Sequence, residues 1–431
     1  MLRQSAPLLA HGLVAHATAG GELRLANPAP AGAEIGRPKG IPYDLAMATI
    51  LGIESTCDET AAAVVVDGQS VRSDVVATQV ELHAKYRGVV PEIASRAHIE
   101  NILPVLHEAL ETARVSLKDV DAISVAHRPG LIGSLLIGVT AAKTLAWALG
   151  KPLVGVDHVH GHLYSVALQP PAGEESAVGS RQSAVATDET GSANNPVADS
   201  PIARTPGPFS IQHSAFSIPP LFPAVGLVCS GGHTALYHLR SWLEVELIGA
   251  TLDDAVGEAY DKVAAILQLG YPGGPILDQL AALGDPAAIK FPRSMLGRDS
   301  LDFSFSGLKT AVLYHVRGHQ GKGRSAETLS AQEVRDVAAG FQAACIDVLF
   351  GKLRRAIAQR GARSVVIGGG VSANRGLRNA LRAFPVPVYF PALRYCTDNA
   401  AMTAGLAHLL LEAGQSSGLD LDAITYSQFR R

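Results

Sequence analysis

Two stretches of this chain share one design, and that repetition constrains the fold more than any other feature. Ala224–Leu239, A-V-G-L-V-C-S-G-G-H-T-A-L-Y-H-L, passes from an apolar run through tiny residues into an alternating segment. The pattern reads as strand, tight turn, strand. Earlier, A-T-I-L-G-I-E-S-T-C-D-E-T-A-A-A-V-V-V repeats it, with apolar Ile50–Ile53, a polar turn over 54–60 and apolar Ala61–Val66. Two such hairpins predict two similar half-domains. An ordinary glycine hairpin explains either stretch alone.

The turns differ in chemistry. Ser230, Gly231 and Gly232 present minimal side chains, so the backbone can bend and bring several N–H groups to one ligand, with the Ser230 and Thr234 hydroxyls beside them. Such a turn suits phosphate oxygens. The first turn carries Glu54, Asp58 and Glu59, which repel phosphate unless a cation or a reacting proton lies between. That charge favours a site, with solvated loop carboxylates as the plainer alternative. A third piece, Ser364–Arg378, reads as strand, triple-glycine turn and helix able to hold a nucleoside against backbone. Its Gly368-Gly369-Gly370-Val371-Ser372-Ala373 matches a loose dinucleotide fingerprint, but the next strand ends at Tyr389-Phe390-Pro391 without the acidic residue that holds a ribose.

His158 and His162 in D-H-V-H-G-H stand four apart, so on a helix both imidazoles lie on one face and can converge on one metal ion. Pairs at this spacing also arise by accident, and His160 points elsewhere. Zinc proteases place a glutamate general base after the first histidine, where this chain has Val159. Gly133 and Gly138 have Walker-loop spacing, yet Val139 stands where the lysine belongs, which excludes a P-loop.

At 431 residues and 47% hydrophobic composition, the chain can bury a large core, and two lobes fit that length. A formal charge of −3 supplies no global footprint for nucleic acid. Cys57, Cys229, Cys345 and Cys396 are scattered, which reads as reduced thiols in a cytoplasmic protein. No apolar stretch approaches the roughly 20 residues of a membrane span. Residues 1–46 lack periodicity and read as a disordered extension, with Met47 the expected start. Val120–Val125 reads as a strand followed by a turn at His127-Arg128-Pro129-Gly130, and Asp253–Leu269 and Ile276–Leu283 read as helices. The remaining expected divisions are an N-terminal lobe over 47–168, a disordered Pro-, Ser-, Ala- and Gly-rich insertion over 169–222, a C-terminal lobe over 223–413 whose final helix packs back on the first lobe, and a tail over 414–431.

Taken in order, I-L-G-I-E-S-T-C-D-E-T, G-V-V-P-E-I-A-S-R-A-H, D-H-V-H-G-H, C-S-G-G-H-T, D-D-A-V-G-E-A-Y-D-K, Y-P-G-G-P, F-S-F-S-G-L-K-T, G-G-G-V-S-A-N-R and C-T-D-N-A-A-M resemble the tRNA N6-adenosine threonylcarbamoyltransferase family, once misnamed glycoprotease. The resemblance spans nearly Ala48–Ala413. It departs at His127-Arg128, where glycine usually precedes the Pro-Gly. It implies a two-lobed α/β fold of the actin, sugar-kinase and Hsp70 type with duplicated RNase H-like domains. It also implies acyl transfer from threonylcarbamoyl-AMP to the adenosine after the anticodon of tRNAs reading ANN codons.

By that resemblance Asp398 completes the metal set with His158 and His162, although an N-cap role for Asp398 is the plainer reading. One divalent metal per subunit is implied, with Fe(II) favoured and Zn or Mn as alternatives. Val228, Cys229, Ser230, Gly231 and Gly232 then take the phosphate side of an adenylate. Asp261 and Asp278 take its ribose, Gly274 permits close approach, and Asn374 fixes the nucleoside. Asp58 or Glu59 is the candidate general base. A TsaB-like paralogue and a TsaE-like ATPase are the implied partners, with no membrane. A noncatalytic nucleotide-binding paralogue and a small-molecule kinase on the same fold are rival readings, and neither has use for the paired histidines and distant aspartate.

Overall fold

The computed structural model describes residues 47–171, 222–295, 299–318 and 325–429. The expected extension over 1–46, and all but the margins of the insertion over 169–222, lie outside the described residues.

The repeated hairpins become the centres of two sheets with one topology. β1 (Thr49–Glu54), β2 (Glu59–Val66) and β3 (Ser70–Thr78) are antiparallel neighbours, and β4 (Ala122–Arg128) and β5 (Leu153–Asp157) add in parallel on the β1 side. In the second sheet β6 (Ala224–Cys229), β7 (Thr234–Leu239) and β8 (Val245–Ala250) are antiparallel. β9 (Ser364–Gly368) and β10 (Val388–Tyr389) then add in parallel beside β6.

Both central hairpins are apolar on both faces, so each sheet is covered twice. Leu51, Ile53, Ala62 and Val64 pack with Ile102, Leu106, Leu135, Val139 and Ala142 of helices α2 (Pro91–Ala113) and α3 (Ile132–Leu149). A five-residue helix, α1 (Val80–Ala84), precedes them. The opposite face, with Ile50, Ala61, Ala63 and Val65, packs on Tyr164 of α4 (His158–Tyr164) and on Ala400, Ala404 and Leu406 of α10 (Ala400–Glu412). Thus a helix late in the chain completes the first lobe. Gly52 makes this possible, because a Cβ there would overlap the Ala400 carbonyl and the Ala404 side chain.

The second sheet repeats the sorting. Val225, Leu227, Val365 and Ile367 pack against α5 (Val256–Ile266), α7 (Ser306–Arg317) and the long α8 (Ala331–Arg360), which starts with a Ser330–Glu333 capping box. Val228, Tyr237 and Val366 face Val159 and Leu163 of α4. That short helix therefore belongs to both cores. Helices α6 (Gly273–Ala281) and α9 (Arg375–Leu381) complete the second lobe.

Several expected boundaries shift. β4 runs on through Arg128, because parallel pairing with β5 continues to Arg128 opposite Asp157, so His127 and Arg128 end a strand and are not a turn. The second helix of the C-terminal lobe begins at Gly273, ahead of the expected start at Ile276, since the Asp261 carboxylate accepts the Gly273 N–H at 2.7 Å and nucleates it. Asp253 stays outside α5, its carboxylate accepting from the Ser304 and Ser306 hydroxyls at 2.6 Å each. Among the described residues α3 alone is long and apolar enough to cross a membrane. Its Leu135, Val139, Ala142 and Ala146 stripe is buried in the first lobe, which makes it a core helix here.

Candidate active site

β5 delivers the chain to α4 through Asp157, whose Oδ1 accepts from the Val159 and His160 N–H groups at 3.0 and 3.3 Å. This N-cap starts the helix at His158 and sets His158 and His162 on one face. Their rings are 4.5 Å apart and edge-on. Asp398 arrives 236 positions beyond His162, on the turn before α10. There Asn399 takes the cap, accepting from the Met402 N–H at 2.9 Å, which leaves the Asp398 carboxylate free to face the histidines. Asp398 Oδ1 lies 3.1 Å from His162 Nε2 and 3.5 Å from His158 Nε2. One donor atom from each of the three residues falls within 4.8 Å of the others.

Glu54, at the end of β1 and fully buried, orients this set. Its Oε2 is 3.1 Å from His158 Nδ1 and its Oε1 accepts the Thr56 N–H at 2.8 Å, while the Thr56 hydroxyl is 3.2 Å from the same imidazole nitrogen. A carboxylate on the far nitrogen of a ligating histidine fixes its tautomer and strengthens its donor nitrogen. Burial depresses the His158 pKa, but facing Asp398 and Glu54 outweigh it and lift it to about 9. His162 moves down, through burial and the neighbouring His158 charge. Burial opposes ionisation of Asp398, yet His158 and His162 hold it well below the usual carboxylate range. Two imidazoles and an ionised carboxylate converge in a buried place, with a supporting carboxylate behind, so the residues fit a divalent cation.

The second lobe brings its turns to this cluster. His233, in the β6–β7 turn, lies 6.4 Å from His158 ring to ring, and burial with the His158 and His162 charges lowers its pKa to about 4. Gly368 at the end of β9 has no room for a Cβ against the His162 carbonyl, and Gly369, at φ +87°, abuts the Cys229 backbone. Val228 and Cys229 are buried in β6, whereas Gly231, Gly232 and Gly274 face open space where side chains would stand. The Ser230 hydroxyl accepts the His233 N–H at 3.0 Å, which leaves its own proton to donate. The Thr234 hydroxyl is turned away and accepts the Val256 N–H at 2.8 Å, starting α5.

The expected ribose and nucleoside residues sit in a tight network. Asp278 accepts from Arg375 Nε at 2.8 Å and from Gln342 Nε2 at 3.3 Å. The Asn374 amide donates to Gln342 Oε1 at 2.7 Å while its oxygen caps α9 through the Leu377 N–H at 2.8 Å. Tyr260 also donates to Gln342, at 3.2 Å. Burial raises the Asp261 pKa, against the hydrogen bonds from Gly273 and Gly274. Glu59 is likewise pushed up, by burial and by the nearby Asp398 and Asp58 charges. Sequence reasoning missed Gln342 and Arg375; it read Glu54 as one of three turn carboxylates that favour a site, without its place behind His158, and His233 only as a member of a turn. Its place as the one polar residue in the apolar run Ala338–Cys345 is the local signal that Gln342 carries.

Two copies of one sheet topology, with a His–His–Asp group where the lobes meet, define a two-lobed α/β protein of the actin, sugar-kinase and Hsp70 class. The crystal structure of T. kodakarensis HypF has a related fold, with a TM-score of 0.51 at 14% identity over 89% of this chain and 50% of that one. A family model described as tRNA N6-adenosine threonylcarbamoyltransferase matches residues 70–184 and 210–405. Curated proteins of that name are 45% identical in Symbiobacterium thermophilum, over 87% of this chain and 95% of the relative, and 46% identical in Sorangium cellulosum, over 86% and 94%. The chain belongs to the tRNA N6-adenosine threonylcarbamoyltransferase family.

Proposed function

We propose that this chain transfers the threonylcarbamoyl group from threonylcarbamoyl-AMP to N6 of the adenosine following the anticodon in tRNAs reading ANN codons. The observation that carries the reading is the convergence of His158, His162 and Asp398 beside an open glycine turn, in a chain of this family.

The exocyclic amine of adenosine is a poor nucleophile because its lone pair is delocalised into the ring. Catalysis therefore gains most from stabilising negative charge as a C–N bond forms at the carbamoyl carbon and the C–O bond to the phosphate breaks. A divalent cation held by His158, His162 and Asp398 supplies positive charge for that purpose. Fe(II) is our preferred ion, with Zn or Mn as alternatives. Ser230 and the amides of Gly231 and Gly232 orient the departing phosphate. Glu59 receives the amine proton, its proton affinity raised by burial and by the neighbouring Asp58; Asp58 is the second candidate. Asp261, Asp278 and Asn374 hold the nucleoside, with Gln342 fixing Asp278 and Asn374 and Arg375 fixing Asp278.

We further propose a TsaB-like paralogue and a TsaE-like ATPase as partners and the cytoplasm as the place of action. The test is mass spectrometry of nucleosides from tRNA treated with the purified chain, threonylcarbamoyl-AMP and those partners. N6-threonylcarbamoyladenosine is expected. Its absence there, together with unchanged levels in cells depleted of the chain, would refute the proposal.

A further inference from the structure

After α10 the chain runs back along the first lobe. Ser417 bridges Leu153 of β5, and its hydroxyl accepts the Gly155 N–H at 3.0 Å. The Leu421 carbonyl accepts from Lys143 Nζ at 3.0 Å, and His127 meets the Asp422 carbonyl and the Ile424 N–H at 2.9 Å each. The segment then reaches Asp157. That carboxylate divides its work: Oδ1 caps α4, while Oδ2 accepts from the Ser427 hydroxyl at 2.7 Å and from the Gln428 N–H at 2.8 Å. Arg128 Nη2 donates to Gln428 Oε1 at 2.8 Å, and its Nε lies 3.8 Å from Asp157 Oδ2. The Phe429 ring sits 5.4 Å from His160 of α4 and 5.5 Å from Tyr237 of the second sheet, edge-on to both.

We propose that Ser427, Gln428 and Phe429, together with Arg128, are positioning residues for the metal centre. α4 has seven residues, too few to hold its own geometry, so its attachments set its rotation and height. One of its faces carries His158 and His162. The rest of α4 packs into both cores through Val159, Leu163 and Tyr164, while the 427–429 segment holds the capping carboxylate of Asp157 and flanks His160, whose Nε2 also meets the Trp242 carbonyl at 2.6 Å. Asp398 is fixed separately, by the Asn399 cap and the packing of α10. Any drift of α4 therefore changes the spread between the two histidines and the carboxylate.

The inference rests on the metal reading above, and its test separates the two. The unaltered chain, Ser427→Ala, Phe429→Ala and Ser427→Thr are stripped of metal and titrated with Co(II) against a chelating competitor, following visible absorption. Urea unfolding of each metal-free protein is measured in parallel. Residues that orient ligands from outside the metal's own shell typically change affinity by about 10–100-fold. These act one step further out, so Ser427→Ala and Phe429→Ala are each expected to weaken Co(II) by about 3–10-fold while still folded at the titration conditions, with Ser427→Thr restoring affinity and the loss of affinity not tracking the drop in metal-free unfolding midpoint across the set. Equal Co(II) affinity across the set overturns this inference alone. Affinity that falls only in step with metal-free stability, without rescue by threonine, shows a merely structural tail and also overturns it. Failure of the unaltered chain to bind Co(II) overturns the metal reading and this inference with it. If Phe429→Ala does not fold, the Ser427 pair decides.

Discussion

Replacing Glu54 by glutamine keeps the shape of a fully buried side chain and changes only what its end atoms can do. At present Oε1 accepts from the Thr56 N–H at 2.8 Å, and Oε2 lies 3.1 Å from His158 Nδ1 and 3.5 Å from the Thr403 hydroxyl. Glutamine offers one acceptor and one donor. With its oxygen toward His158, its NH2 meets the Thr56 N–H, donor against donor, and a buried unpaired N–H costs about 1–3 kcal/mol of stability. With its NH2 toward His158, Nδ1 must become the acceptor and the proton moves to Nε2, removing the lone pair that faces Asp398. The cost then appears as about 10–100-fold weaker metal binding, or about 1.4–2.7 kcal/mol. Competition titration with Zn(II) and urea unfolding of the metal-free protein read the two branches separately. A Glu54→Gln protein that matched the unaltered chain in both would refute the assigned role of Glu54.

Asp398→Ala removes the carboxylate on which both histidines converge. Transfer should fall by about 100–1000-fold with loss of the metal, while calorimetry still detects adenylate binding to the second lobe; transfer at the unaltered rate would remove the cation from the mechanism. Gly52→Val and Gly232→Ala should separate packing from binding. The first drives a side chain into the α10 backbone and should lower stability by about 1–3 kcal/mol or more, whereas the second faces open space and should spare the unfolding midpoint while weakening adenylate binding. For Asp74, burial outweighs Arg394 and the Ala400 and Ala401 amides, raising its pKa from 3.8 to about 6. The folded state thus holds the extra proton between those values, so this group's contribution to stability falls as pH rises from about 4 to about 6, by up to about 3 kcal/mol. Asp74→Asn should flatten that slope in urea unfolding, and an unchanged slope would refute the assignment.

Much of the fold was legible because its signals are local. Each hairpin announces itself within about 16 residues, and the continuous apolar runs of β1 and β2 follow from burial on both faces of a sheet. His158 and His162 stand together for the same reason, since four positions on a helix is one turn. Where strand and helix boundaries shifted, a distant partner decided: Asp157 extended β4, and the Asp261 carboxylate started α6 early. Arg128 and Asp157 stand 29 positions apart, and although Asp261 and Gly273 are only 12 apart, no periodicity or turn signal between them says that the carboxylate folds back onto that N–H.

The sequence by itself determined the duplicated α/β architecture, the family, and the residue types from which a cation and a phosphate site are built. It did so because periodicity and turn chemistry are properties of neighbouring residues. Only the tertiary structure decided that Glu54 stands behind His158, that Asn399 and not Asp398 caps α10, that Gln342 ties Asp278 to Asn374, and that residues 427–429 return to Asp157. Those contacts join residues from 32 to 270 positions apart, or choose between adjacent candidates by where a carboxylate can reach. They exist because two sheets and the short helix shared by their cores bury apolar faces against each other, and that packing sets the distances on which the chemistry depends.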